Sequence, residues 1–250
     1  MSTDELLVVD LYPSLLQPEG DHGNVVALAF RARQYGLAAT AVVAHPGDDV
    51  PEADIYFLGG SEDLDLPECA RRLRASGVLS AAADRGAVVV GVGAGYSVLA
   101  RRFTDLAGHE HEGVGLLDVT IRRDVLVSGP VVTRPCAELG LPVMSGYEFH
   151  VGRAERATGV PPLTTLEVGT GDGASGPAAT GNCTDGARTG HVLGTWLHGP
   201  LLPRNPEFAD LLLRWCRPDL LASRPQETGL KDSLAGAVRA RRVAAARLNQ

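Results

Sequence analysis

The chain has 250 residues, 44% of them hydrophobic and 21% charged, which is enough for one large domain or two small ones with a full core. Its formal charge of −7 argues against a surface built for nucleic acid or anionic membranes, and no stretch reaches the roughly 20 apolar residues of a membrane span. Cys69, Cys136, Cys183 and Cys216 stand far apart without a CxxC, which argues against zinc or redox chemistry and for a reducing, cytoplasmic setting. Residues 1–5 are polar and the apolar run after them is only a strand long, so no secretory signal is expected.

The first half alternates short apolar runs with amphipathic segments, the pattern of a mostly parallel α/β sheet. Residues 6–11 predict a strand. Residues 24–36 predict a helix, with Val25, Leu28, Ala29 and Ala32 at i, i+3, i+4 and i+7 and Gly36 as the stop. Strands follow at 39–43 and 54–58, the second running into Gly59-Gly60; 67–76 and 78–85 predict helices broken near Gly77. A buried-type strand at 87–92 enters a glycine-dense turn and then an apolar helix at 96–103. Beyond it the pattern loosens. Antiparallel strands are expected at 116–121, 125–132, 143–150 and 163–168, and a Gly-, Thr- and Asp-rich surface loop at 169–190. Residues 191–197 predict a strand that delivers His198, 205–214 a helix with Phe208, Leu211 and Leu212 on one stripe, and 230–248 a helical tail. With no internal repeat and no linker, residues 1–250 read as a single domain.

The turn after residue 92 has the form of a nucleophile elbow, in which a strand, a tight turn and a helix hold one side chain up at the strand's carboxyl end. An active hydrolase would carry Cys or Ser at that apex; here it is Gly93. His198, at a strand's end in Gly-Thr-Trp-Leu-His-Gly-Pro, would be the base of such a site. The amides of Gly59, Gly60 and Ala94 could supply donors for an oxyanion. A dinucleotide-binding reading of residues 91–95 fails on spacing, GxGxG rather than GxGxxG. Ser97 lies a helical turn beyond the apex and Cys183 sits in the long loop; each is a weaker candidate for a relocated nucleophile. His109 and His111 lack a third ligand and read as a solvated loop, and the arginines at 239–247 as a solvated or docking helix face. No metal and no cofactor are expected.

Six strings in order resemble the class I glutamine amidotransferases of the cobyric-acid-synthase-like (CobB/CobQ-like) branch. These are Leu11-Tyr12-Pro13 with Gly20-Asp21-His22-Gly23-Asn24; Asp54-Ile55-Tyr56-Phe57-Leu58-Gly59-Gly60; the 93–97 turn; Glu112-Gly113-Val114-Gly115-Leu116-Leu117-Asp118; Gly146-Tyr147-Glu148-Phe149-His150; and Gly194-Thr195-Trp196-Leu197-His198-Gly199-Pro200 with Asn205-Pro206-Glu207. Within that branch the likeness is greatest to GatD-type glutaminase subunits of lipid II isoglutaminyl synthase, which work with a Mur-ligase-like (MurT-like) subunit. The resemblance implies an α/β fold with a central, mostly parallel sheet flanked by helices and an antiparallel extension. It also implies a catalytic Cys at position 93, where this chain reads Gly93-Ala94-Gly95-Tyr96-Ser97 in place of C-G-G-Y-Q. The reading that follows is a homologue with a vacated nucleophile position at Gly93 and a retained His198, serving as partner or regulatory subunit of a ligase. Two others stand beside it: an active amidotransferase or hydrolase with a relocated nucleophile, and a module that binds glutamine or another small molecule in the emptied site.

Overall fold

The computed structural model describes residues 5–16, 21–60, 65–173, 183–218 and 230–248. Six strands form the first sheet: β1 (Glu5–Leu11), β2 (Ala38–Ala44), β3 (Ile55–Leu58), β4 (Val88–Val92), β11 (Ala187–Thr189) and β12 (Val192–Thr195), in the order β11-β12-β4-β3-β1-β2. All neighbours are parallel except the β11–β12 pair. Alternation along each strand divides the core in two. Leu6 and Val8 of β1, with Ile55 and Phe57 of β3, face one apolar cluster, while Val9, Leu11, Tyr56 and Leu58 face the other. Both faces are therefore covered, as a parallel sheet requires.

On one face lie α1 (His22–Gln34), α5 (Leu201–Arg204) and α6 (Pro206–Cys216); on the other lie α2 (Leu66–Ser76), α3 (Val78–Asp84) and α4 (Ala94–Leu99). Gly77 takes φ 66° between α2 and α3, the left-handed conformation that ends one helix and starts the next. Helix α7 (Leu230–Leu248) packs on α5 and on the second sheet. No helix among the described residues is long and apolar enough to cross a membrane.

The second sheet is mixed and contains β5 (Ala100–Thr104), β6 (Glu110–Glu112), β7 (Leu117–Thr133), β8 (Ser145–Arg156), β9 (Thr164–Val168) and β10 (Thr184–Asp185). It corrects three expectations. The helix expected over 96–103 stops at Leu99: Ala100 is extended, and residues 100–104 pair with β6 and β7. The two strands expected at 116–121 and 125–132 are one long strand, β7, which bulges between Arg123 and Val127. The loop expected at 169–190 contains β10 and β11, while its residues 174–182 lie outside the described set.

Candidate functional site

The carboxyl ends of β3, β4 and β12 converge with the entry to α1, where an open parallel sheet places its ligands. Gly93 forms the apex between β4 and α4 at φ 58° and ψ −118°, a region closed to most L-residues. Its amide donates to the Thr195 carbonyl at 2.9 Å, tying the elbow to the strand that delivers His198. His198 is fixed in turn by a bridge to β8: the Tyr147 amide donates to its carbonyl at 3.2 Å and its own amide to the Tyr147 carbonyl at 2.8 Å.

The His198 ring is buried and points at the apex. Its Nε2 stands 2.6 Å from where a Cβ on Gly93 would be, and has no hydrogen-bond partner among the described residues. His198 Cε1 and the Gly60 carbonyl oxygen lie closer still to that Cβ position. The space a side chain at 93 would need is taken by the histidine and by the end of β3.

His198 Nδ1 faces Asp21 Oδ2 at 3.3 Å. A carboxylate only accepts, so this contact puts the ring proton on Nδ1 and leaves the Nε2 lone pair toward Gly93. Asp21 also accepts the Gly60 amide at 3.0 Å and the Asn24 side-chain amide at 3.2 Å. Asn24 Oδ1 accepts from the Leu202 amide at 2.8 Å, which closes a buried polar ring around the site. Asp21 lies so close to Gly59 that any Cβ there would collide with its own. Sequence reasoning quoted Asp21 within a motif and gave it no role. An acidic residue immediately before the first predicted helix, at its N-cap position, was the available signal.

The expected site residues Gly59, Gly60, Gly93, Ala94 and His198 are thus brought together. One expectation changes: the Gly60 amide is engaged by Asp21, and the Ala94 amide donates to the Gly60 carbonyl at 3.0 Å. Neither points a free N–H at a ligand. The weaker nucleophile candidates lie elsewhere. Ser97 is buried within α4, and Cys183 belongs to the first apolar cluster, where burial pushes its thiol up. His109, on an exposed turn, and His111, half-buried on the short strand β6 rather than in a loop, both face Asp105, at 3.5 and 2.7 Å, and the His111 hydrogen bond draws the Asp105 carboxyl down to about 2.

Beside the site, β8 supplies a brace. The Glu148 carboxylate accepts the Thr170 and Gly171 amides at 2.7 and 2.8 Å. The His150 ring stacks on Trp196 with centroids 4.3 Å apart and donates Nδ1–H to the Gly152 carbonyl at 2.8 Å.

This α/β arrangement, with mixed sheets flanked by helices, matches the fold of solved class I glutamine amidotransferases. A structure described as a glutamine amidotransferase matches with TM-score 0.53 at 16% identity, over 83% of this chain and 98% of that one. PurLQS from Thermotoga maritima matches with TM-score 0.57 at 14% identity, over 86% and 99%. The chain belongs to the CobB/CobQ-like glutamine amidotransferase domain family, whose model matches residues 22–206. Among curated relatives, the GatD subunit of lipid II isoglutaminyl synthase (glutamine-hydrolyzing) from Staphylococcus aureus is 28% identical over 213 residues, covering 84% of this chain and 83% of the relative. The Streptococcus pneumoniae GatD subunit is 26% identical, covering 82% and 78%. A probable cobyric acid synthase from Methanopyrus kandleri is 36% identical over 192 residues, and the match spans 68% of this chain but 35% of that longer protein.

Proposed function

We propose that this chain is a GatD-like amidotransferase homologue without Cys-dependent glutaminase activity. In this reading it acts as the partner or regulatory subunit of a Mur-ligase-like (MurT-like) ATP-dependent amide-forming enzyme. The observation that carries the reading is Gly93. Thiol-dependent glutamine hydrolysis needs an atom at the apex to attack the carboxamide, a base to take its proton and donors for the oxyanion. Here the apex has no side chain, the His198 ring takes the space one would need, and the Gly60 and Ala94 amides are already engaged. His198, held by Asp21, has nothing to deprotonate.

The two rival readings lose support from the same geometry. A relocated nucleophile is disfavoured by the buried Ser97 and by Cys183, whose thiol burial pushes up. A small-molecule module in the emptied pocket is disfavoured by the His198 ring that fills it. The ligase partnership is supported by the two GatD relatives, each a subunit that matches this chain over most of its length. The proposal includes a cytoplasmic, single-domain protein that needs no metal or cofactor.

Co-expression with a Mur-ligase-like subunit tests it. We expect the two to co-elute, and the complex to form amide from ATP, acceptor and free ammonia but not with glutamine as the only nitrogen source. Separate elution, or amide formation from glutamine, would count against the reading.

A further inference from the structure

Most guanidiniums among the described residues face a carboxylate, as Arg31 does Asp210, Arg217 Asp54 and Arg239 Glu207. Arg204, at the end of α5, and Arg242, on the exposed flank of α7, have no acidic partner among the described residues. Both instead line two adjoining clefts, of roughly 380 and 320 Å³, between α5, the start of β8 and α7. The Arg204 guanidinium is seated against Gly199, where a Cβ would come within 2.6 Å of Nη1. Burial first, and the charge of Arg242 second, push the Arg204 side chain below its ordinary value. No described group relieves that setting.

Ser145 borders both clefts. It is 2% exposed, and its hydroxyl has no hydrogen-bond partner among the described residues. Its backbone, by contrast, is fully held: the Ser145 amide donates to Asn205 Oδ1 at 3.0 Å, and Asn205 Nδ2 donates to the Ser145 carbonyl at 3.1 Å. A rigidly placed buried hydroxyl without a partner is rare in native proteins and calls for a ligand or an ordered water.

We propose that this cleft binds the phosphate group of a small molecule, gripped by Arg204 and Arg242 and hydrogen-bonded by the Ser145 hydroxyl. Two unpaired guanidiniums match the charge of a phosphate dianion, and their planar forks match its oxygens. Pro203, Leu234 and Val238 give the cleft an apolar wall for the uncharged remainder of the ligand. The site adjoins His198 through Gly199 and the Tyr147 backbone and stands whether or not glutamine hydrolysis has been lost.

Inorganic pyrophosphate, titrated at constant ionic strength against the full chain, tests the proposal by calorimetry and thermal unfolding, with succinate as the carboxylate control. We expect saturable binding and a raised Tm with pyrophosphate and none with succinate. Arg242→Gln, on an exposed helical face, should weaken pyrophosphate binding about tenfold, and Arg204→Gln at least as much. Ser145→Ala should weaken it by a smaller factor. Absence of saturable binding, binding unchanged in Arg242→Gln, or succinate binding as well as pyrophosphate would overturn the proposal. Because Arg242 is exposed, its variant decides the matter even if Arg204→Gln folds poorly.

Discussion

At Gly93 the backbone angle and the surroundings both oppose a side chain. The left-handed φ of 58° is tolerated by glycine at little cost, and a Cβ would collide with the Gly60 carbonyl and the His198 ring. Gly93→Ala should therefore lower the unfolding free energy by about 2 kcal/mol or more, read from urea midpoints. Gly47→Ala, at φ 101° with nothing near the added Cβ, should cost only about 1 kcal/mol. For the same reason Gly93→Cys alone should not restore glutamate release, since the thiol's place is filled and the Gly60 and Ala94 amides are engaged. Asp21→Ala would strand the Gly60 amide, the Asn24 amide and His198 Nδ1 together, a loss of about 2–3 kcal/mol on the same urea scale. Gly93 and His198 were legible because glycine-dense turns and strand-end histidines leave a local signature. The ring around Asp21 was not, because it joins residues 21, 24, 60, 198 and 202, and only folding makes them neighbours.

At the scale of elements, two buried ionic arrangements hold helices and sheets in register. Arg31 of α1 grips Asp210 of α6 through Nε at 2.6 Å and Nη2 at 2.8 Å, with both side chains largely buried. Arg31→Met leaves that carboxylate uncompensated and should cost about 3–5 kcal/mol; adding Asp210→Leu should return much of it, a coupling that a double-mutant cycle measures. The second arrangement joins β8, β10 and the end of β12. Asp185 accepts from the Thr195 hydroxyl and, at 3.0 Å, from the Trp196 amide, while Asp172 accepts from Arg156 and from the Gly186 amide at 3.0 Å. Burial pushes the Asp185 carboxyl up to about 6 against those hydrogen bonds; burial and then the charge of Asp185 push Asp172 well up. A carboxyl raised on folding keeps its proton in the folded state where the unfolded chain has lost it. Its stabilisation is present below the ordinary carboxylate value and fades as pH rises through about 6. Relative to Asp185→Asn, the parent should therefore lose stability between pH 4 and pH 7 in urea titrations; parallel curves would contradict the assignment.

Over the whole molecule, β1, β3, β4 and β12 of the first sheet could be read from the sequence because they are buried on both faces and bounded by turn residues, whereas the half-exposed edge strand β11 was hidden in the expected loop. The second sheet could not be read as well. Along Arg122-Arg123-Asp124 both faces of β7 meet water, so the apolar alternation that marks a strand vanishes, while the pairing with β8 resumes at Val127 beyond the bulge. Residues 96–103 carry an apolar run equally fit for helix or strand, and pairing with β6 and β7 decides its last part. The family fold is thus retained around an apex that has no side chain. Glutamate release from glutamine, measured on the purified chain alone and with a Mur-ligase-like subunit beside an active glutaminase, tests the account's central claim most directly. The account predicts no release above the enzyme-free blank in either state; release that disappears in His198→Ala would contradict it.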